Sequence, residues 1–310
     1  MKTETDISIV TPIYNEEKNI DELYSRLTNT LKKQGLHYEI IFINDGSKDN
    51  SLVLIKQLSK SDPYVKYINF SRNFGHQVAI SAGIDNSAGN SVAIIDSDLQ
   101  DPPELIEDLY KKYLEGFKVV YAKRKSRKGE SIFKKATAKV FYRVLSRITS
   151  VDIPIDTGDF RLIDRVVVDH LKQMPEQKKF LRGQIAWLGY SQAFVEFDRD
   201  ARVQGETGYS FKKMFNLAID GITSFSNFPL RMVTLFGFLV SFISFLIILY
   251  ALYSKFILKT AITGWTSLMI STIFIGGVQL FSIGIIGEYI NRINHDSMKR
   301  PLYVVEETNI

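Results

Sequence analysis

Two stretches without a charged side chain, Met232 to Ser254 and Thr260 to Gly287, constrain this chain more than any other feature. They run for roughly 23 and 28 residues, and about 20 apolar residues cross a bilayer as a helix. Their Gly, Ser and aromatic content suits membrane helices better than a soluble core helix. From Met1 to about Phe228 charges are spread evenly, so the overall hydrophobic fraction of 45% conceals a division. Two spans return the chain to the side on which it began. Lys255 and Lys259 lie between them, whereas Lys212, Lys213 and Arg231 precede them and Arg292, Lys299 and Arg300 follow. The positive-inside rule then makes both ends cytoplasmic. The expected layout is a large cytoplasmic domain over residues 1–228, two transmembrane helices within 229–290 (about 232–254 and 262–287) and a cytoplasmic tail over 291–310. Residues Met1 to Asp6 hold no apolar h-region, so no cleaved export signal is expected. With no cysteine, disulfides and Cys-ligated metals are excluded, which fits a reducing compartment.

The large domain alternates strand and helix signals. Ile7-Ser8-Ile9-Val10 reads as a strand ending at Thr11-Pro12, and Glu16 to Lys33 repeats apolar residues at Ile20, Leu23, Leu27 and Leu31 with helical spacing. Glu39 to Ile43 is a second strand closed by Asn44-Asp45-Gly46-Ser47, with a helix through Leu52, Ile55 and Leu58. A third strand near Val65 to Asn69 leads to Asn73-Phe74-Gly75 and another helix, and Val92 to Ile95 forms a fourth. Such alternation implies a mostly parallel sheet with right-handed crossovers. Tyr14-Asn15-Glu16, Asp45 and Asp96/Asp98 then fall at the carboxyl ends of their strands, along one edge where open α/β sheets bind ligands.

Asp96-Ser97-Asp98-Leu99-Gln100-Asp101-Pro102-Pro103-Glu104 packs acids tightly behind a buried strand. Two carboxylates one residue apart, with a nearby amide oxygen, offer hard ligands for Mg²⁺ or Mn²⁺ held together with substrate phosphates. The alternative is a capped helix start, with Asp101 as cap and Pro102-Pro103 in the first turn. Neither a G-x-G-x-x-G fingerprint nor a P-loop is present, so a nucleotide here needs another phosphate anchor. A net charge of +5 and the lack of any nucleic-acid motif argue against nucleic acid as a partner. His37, His76, His170 and His295 show no zinc-ligand spacing. The densest basic stretch runs from Lys123 to Arg147. Within it residues 131–148 form an amphipathic helix suited to an anionic membrane surface, as do residues 211–226. An ordinary surface helix of a soluble core reads the same way. Gly276, Gly277, Ser282, Gly284 and Gly287 let helices approach closely, either within the hairpin or between copies in a homo-oligomer.

Val10-Thr11-Pro12-Ile13-Tyr14-Asn15-Glu16-Glu17, Asn44-Asp45-Gly46-Ser47-Lys48-Asp49, Arg72-Asn73-Phe74-Gly75, Asp96 to Glu104, Asp156-Thr157-Gly158-Asp159-Phe160-Arg161 and Arg182-Gly183 follow one another in an order that resembles a known family. It is the GT-A type, family 2 glycosyltransferases, in particular the polyisoprenyl-phosphate glycosyltransferases of the dolichol-phosphate mannose synthase and bactoprenol glucosyltransferase kinds. The resemblance covers nearly the whole chain, and the C-terminal hairpin favours the bactoprenol branch. It implies a Rossmann-like, mostly parallel α/β sheet with helices on both faces, followed by a two-helix transmembrane hairpin in a bacterial inner or plasma membrane.

The same resemblance implies that Pro12, Tyr14, Glu16 and Asp45 hold the uridine of a UDP-sugar, that Asp96 lies beside the nucleotide, and that Asp98 and Gln100 ligate Mg²⁺ or Mn²⁺ on the diphosphate. The acceptor it implies is undecaprenyl phosphate, a polyisoprenyl phosphate, receiving a single hexose, glucose foremost, with inversion. Arg124, Arg127, Arg199, Arg202 and Ser210 are the candidates for binding the acceptor phosphate, Arg202 fitting the family's mobile Arg-x-x-Gly-x-Ser loop best. Asp159 matches the position of the family's base, although it could instead orient sugar hydroxyls or pair with Arg161. The catalytic set is thus Asp96, Asp98, Asp159 and Arg202. Processive synthases carry Gln-x-x-Arg-Trp, whereas Gln184-Ile185-Ala186-Trp187 lacks both the Arg and the spacing, so a single transfer is expected. The rival readings are the same enzyme with GDP-mannose or a UDP-4-amino-arabinose derivative as donor, and a non-catalytic nucleotide-sugar-binding membrane module.

Overall fold

The structure, a computed structural model, describes residues 4–125, 154, 157–198, 228–253, 257 and 264–310. Four strands, β1 (Ile7–Ile13), β2 (Tyr38–Asn44), β3 (Val65–Phe70) and β4 (Ser91–Ile94), alternate with α1 (Ile20–Lys33), α2 (Ser51–Ser61) and α3 (His76–Asp85). All seven residues of β1 and of β2 are buried, as befits strands covered on both faces. A 3₁₀ turn at Pro103–Leu105 leads into α4 (Ile106–Leu114), followed by β5 (Val119–Arg124), β6 (Thr157–Asp164), α5 (Arg165–Gln173), α6 (Leu181–Trp187) and β7 (Gln192–Phe197). Two long helices, α7 (Phe228–Tyr253) and α8 (Trp265–Ser297), precede a last strand, β8 (Val305–Thr308).

The eight strands form one sheet in the order β7-β5-β6-β4-β1-β2-β3-β8. The β1–β2, β1–β4, β2–β3 and β5–β7 pairs are parallel, and β4–β6, β5–β6 and β3–β8 are antiparallel. The fold class is therefore the mostly parallel α/β sheet that the sequence implies. One face is covered by α1, α2 and α4 through Leu23, Leu27, Ile55, Ile106 and Leu109, and the other by α3, α5 and α6 through Ile80, Val167, Leu171 and Ile185. Each such side chain taken from water contributes roughly 1.5–3 kcal/mol. In α1 the apolar stripe is flanked by Asp21 and Glu22 in the first turn and Lys32 and Lys33 in the last, which oppose the helix dipole.

The chain steps from β1 to β2 to β3 in one direction and then returns to β4 on the far side of β1. That reversal, beside the carboxyl ends of β1 and β4, is the switch point at which open α/β sheets place their ligands.

Three local expectations need correction. β1 continues through Pro12 to Ile13, because Pro12 pairs in register with Ile43 of β2. α1 begins at Ile20 rather than Glu16, since the Glu16 and Glu17 amides donate to the side chains of Ser51 and Asp49 (3.0 and 3.1 Å), tethering this segment to the start of α2. Asp101 caps no helix: Pro102 holds the cap position of the 3₁₀ turn, and the buried Asp101 carboxylate pairs with Arg124 at 3.3 Å.

α8 runs ten residues past Gly287, and α7 and α8 touch one another. Large apolar side chains, among them Phe238, Phe242, Leu280 and Phe281, are more than half exposed on them. Both helices are long and apolar enough to cross a membrane.

Candidate active site

The first group of site residues is assembled by three loops at the carboxyl edge of the sheet. Asp45 directly follows β2, and its own amide donates to the Ile13 carbonyl at 2.9 Å. Its buried carboxylate accepts from the Phe74 amide (2.6 Å) and the Gly75 amide (3.0 Å), in the loop after β3. Burial pushes this carboxyl above its ordinary range, opposed by those two amides and by the charges of His76 and Arg72. Gly46 is required for the contact. Its φ is +67°, and a Cβ there would lie 2.6 Å from the backbone of Arg72 and Asn73. The β1 loop joins through Asn15, at φ 57°, whose amide donates to Ser47 Oγ (3.0 Å) and whose Oδ1 accepts from the Lys48 amide (2.8 Å). Tyr14 is left exposed beside this junction, Pro12 is buried in β1, and Glu16 accepts from Asn19 at 2.6 Å.

The second group lies beyond β4. Asp96 Oδ1 is buried without a hydrogen-bond partner, and His76 Nε2 stands 3.5 Å from it. Burial raises the Asp96 carboxyl; Asp159, Asp101 and Asp98 add to this and the charge of His76 opposes it. Asp98 Oδ1 accepts from the Gln100 amide at 3.1 Å, closing a tight turn around Leu99. Leu99 is buried at φ 56°, a left-handed conformation uncommon for a bulky residue and frequent where a site holds its backbone in one shape.

Asp159, on β6, is the hub of the crevice. Its Oδ1 accepts from Arg161 Nη2 (3.0 Å) and Arg182 Nε (3.1 Å), and its Oδ2 meets Gln77 Nε2 (3.3 Å) and His76 Nε2 (3.2 Å). Burial alone would raise this carboxyl, but Arg182, the His76 contact and Arg161 together hold it well below the usual carboxylate range. The reciprocal effect falls on His76. Burial works against its charge, yet the bond to Asp159 and the charges of Asp96 and Asp159 raise the imidazole to about 9, with Arg182 opposing. Arg161 is buried, donates also to the Gly158 carbonyl (2.9 Å) and lies over the Tyr121 ring at 5.4 Å.

The structure thus brings Asp96 and Asp159 to a common cation, and seats Asp45 beside the loop that carries His76. Of the acceptor candidates Arg124 lies among the described residues: it is paired with Asp101, and a Cβ on Gly158 would come within 2.9 Å of its Nη2. Arg127, Arg199, Arg202 and Ser210, like the amphipathic segments 131–148 and 211–226, lie outside the described residues. Among the described residues, no group of three or more His, Asp or Glu side chains gathers as a cation site. His76 and Gln77 directly follow the Arg72 to Gly75 motif, but zinc-ligand spacing does not reveal a histidine that pairs with two carboxylates.

Comparison with known proteins shows the family. The family model described as Glycosyl transferase family 2 matches residues 8–172. An uncharacterized glycosyltransferase of Bacillus subtilis (strain 168), YkcC, is 49% identical over 99% of this chain and 95% of its own length. The bactoprenol glucosyl transferase of Shigella phage SfV is 41% identical, and a prophage bactoprenol glucosyl transferase homolog of Escherichia coli (strain K12) is 40% identical, each over 97% of this chain and 98% of its own. Among solved structures, S. aureus TarS 1-349 in complex with UDP-GlcNAc superposes with a TM-score of 0.49 at 17% identity, over 71% of this chain and 66% of that one. By the matched domain and by these near full-length relatives, the chain belongs to glycosyl transferase family 2.

Proposed function

We propose that this protein transfers a single hexose, glucose foremost, from a UDP-sugar to undecaprenyl phosphate, with inversion, at the cytoplasmic face of the membrane. The observation that carries the reading is the 40–41% identity to proteins named bactoprenol glucosyl transferase over 97% of the chain, a span that includes α7 and α8. In this reading Pro12, Tyr14, Glu16 and Asp45 bind the uridine, the Asp45 carboxylate facing the base N–H, and Asp96 lies beside the nucleotide.

Asp98 and Gln100 offer a carboxylate and an amide oxygen, and the buried Asp96 Oδ1, which faces His76 but accepts no hydrogen bond, adds an acceptor nearby. One or two carboxylates completed by substrate phosphates is the way Mg²⁺ is commonly held, and Mn²⁺ accepts the same oxygens. When bound, such an ion neutralises charge on the departing diphosphate.

A phosphate monoester has a second pKa of about 6, so the acceptor arrives already anionic. Its oxygen attacks the sugar C1 from the face opposite the diphosphate: the new C1–O bond forms as the bond to UDP breaks. No strong general base is needed. This agrees with Asp159, whose carboxyl is held low by two arginines and His76 and is poorly suited to taking a proton. Its role in this reading is to fix the cations of the crevice, while Arg127, Arg199, Arg202 and Ser210 remain the residues proposed to receive the lipid phosphate.

α7 and α8 are proposed to form the membrane hairpin. Their exposed apolar side chains suit lipid, and β8, arriving after α8, pairs with β3 of the catalytic domain, so both ends of the hairpin lie on one side. The donor is tested by incubating purified protein with undecaprenyl phosphate, Mg²⁺ or Mn²⁺ and labelled UDP-hexoses, with UDP and GDP as competitors. Inhibition by UDP at far lower concentration than GDP is expected; the reverse order would overturn the uridine reading.

A further inference from the structure

The segment that leaves the membrane helix α8 does not end as a loose tail. β8 lies antiparallel along the β3 edge, with Ile68 opposite Thr308, Asn69 opposite Glu307 and Phe70 opposite Val305. The pairing is reinforced by side chains: the Tyr67 amide donates to Asn309 Oδ1 (2.6 Å), Tyr67 Oη donates to Glu307 (2.8 Å), and Lys56 pairs with Glu307. Beyond the strand, the Ser71 amide donates to the Val304 carbonyl at 3.1 Å, so the tail also holds the start of the loop that reaches Asp45.

Two separate lines of contact then run from this tail to the residue proposed to face the base. The first is aromatic. The Tyr303 ring stacks on Phe70 (centroids 5.0 Å, 22°), Phe70 meets Phe74 edge-on (5.6 Å, 84°), and the Phe74 amide donates to Asp45 at 2.6 Å. The second is polar. Glu306 accepts from Asn69 Nδ2 (3.0 Å), Asn69 Oδ1 accepts from Asn44 Nδ2 (2.7 Å), and Asn44 is the residue immediately before Asp45. Asn44 and Asn69 are both buried, where an amide without its partner is costly.

We infer that the tail over residues 301–310 is a positioning element of the donor site, with Tyr303 and Glu306 setting the Asp45 carboxylate and the 72–75 loop for a nucleoside diphosphate. Tyr303 touches no reacting atom; it acts through Phe70 and Phe74. The arrangement links the end of the membrane anchor to the nucleotide edge, so the domain acquires its full donor affinity only when the chain that follows the anchor has returned to the sheet. This inference rests on the reading that Asp45 faces the base.

The test uses the full-length protein in detergent. If the worth of an aromatic pair of this kind goes into holding Asp45 in its binding position, its loss changes donor affinity by roughly three- to tenfold at most. Tyr303→Ala is therefore expected to raise the UDP dissociation constant and the donor KM by about that factor, with kcat and the lipid-phosphate KM unchanged, while Tyr303→Phe, which keeps the ring, restores wild-type values. Glu306→Ala is expected to raise the donor KM likewise and provides a second readout should Tyr303→Ala fold poorly. Asp45→Asn serves as the reference. If Asp45→Asn weakens UDP binding and both Tyr303→Ala and Glu306→Ala bind UDP as tightly as wild type, the positioning role is overturned. If none of the three changes UDP binding, the placement of the base at Asp45 falls, and the inference with it.

Discussion

At the residue scale, the crevice is organised by charge balance around His76. Asp96 and Asp159 both face it, Arg161 and Arg182 share Asp159, Gln77 completes the Asp159 shell, Arg72 lies on the loop that leads into His76, and Asp45 lies on the loop after β2. With a folded-state pKa of about 9 against an ordinary 6.5, the imidazolium contributes stability that is complete below about pH 6.5 and is lost as pH rises through about 9. The side chain is 41% exposed, so water screens the pairs and the contribution is on the order of 1 kcal/mol. The nucleotide-free protein should accordingly lose stability in denaturant between pH 6.5 and 9, and His76→Gln should flatten that slope. An unchanged slope in the variant would remove His76 from the charge balance. That Asp45 and Asp96 come to one edge of the sheet was legible in sequence, because each directly follows an apolar run that reads as a parallel strand. His76 and Gln77 were not, because their meaning depends on Asp159 and Arg182, more than 80 residues away in sequence.

At the scale of elements, β1 to β4 and their helices were legible from apolar runs and helical spacing, with ends displaced where side chains of another loop occupied the backbone. β8 was not. Val305-Glu306-Glu307-Thr308 has no apolar alternation and all four residues are exposed; it is a strand because the β3 edge offers it backbone partners. A similar long-range device sits at the opposite end of the sheet. The buried Glu39 of β2 accepts from Ser8 of β1 (2.5 Å), Lys66 of β3 (2.6 Å) and the Ala88 amide before β4 (2.6 Å), tying the central strands together. Burial would raise Glu39, but these donors outweigh it and lower its pKa, so its stabilisation is present above the ordinary glutamate range and is lost as pH falls through the depressed value. Glu39→Gln is expected to cost about 2 kcal/mol near neutral pH and to make the remaining stability less acid-sensitive. Denaturant titrations at pH 7 and pH 4 check both, and equal stability of variant and wild type at pH 7 would contradict the network's role.

At the scale of the whole molecule, the proposed hairpin has one support in the charge pattern and another in the sheet. Basic residues flank both outer ends of the uncharged runs, and β8 returns to the domain from which α7 departed. Because the chain has no cysteine, single cysteines report location without background. In intact cells Lys255→Cys should react with a membrane-impermeant maleimide, whereas Val53→Cys, on the exposed face of α2, should react only after permeabilisation. Labelling of both in intact cells would overturn the cytoplasmic placement of the domain.

The central claim, that a sugar moves from a nucleotide to a lipid phosphate, is tested most directly by counting both products of one reaction. With undecaprenyl phosphate, a divalent metal and the preferred UDP-hexose, mass spectrometry should find one hexosyl-phospho-undecaprenol for each UDP released, and Asp98→Ala should abolish both. Release of UMP in place of UDP, or full transfer by Asp98→Ala, would contradict the account.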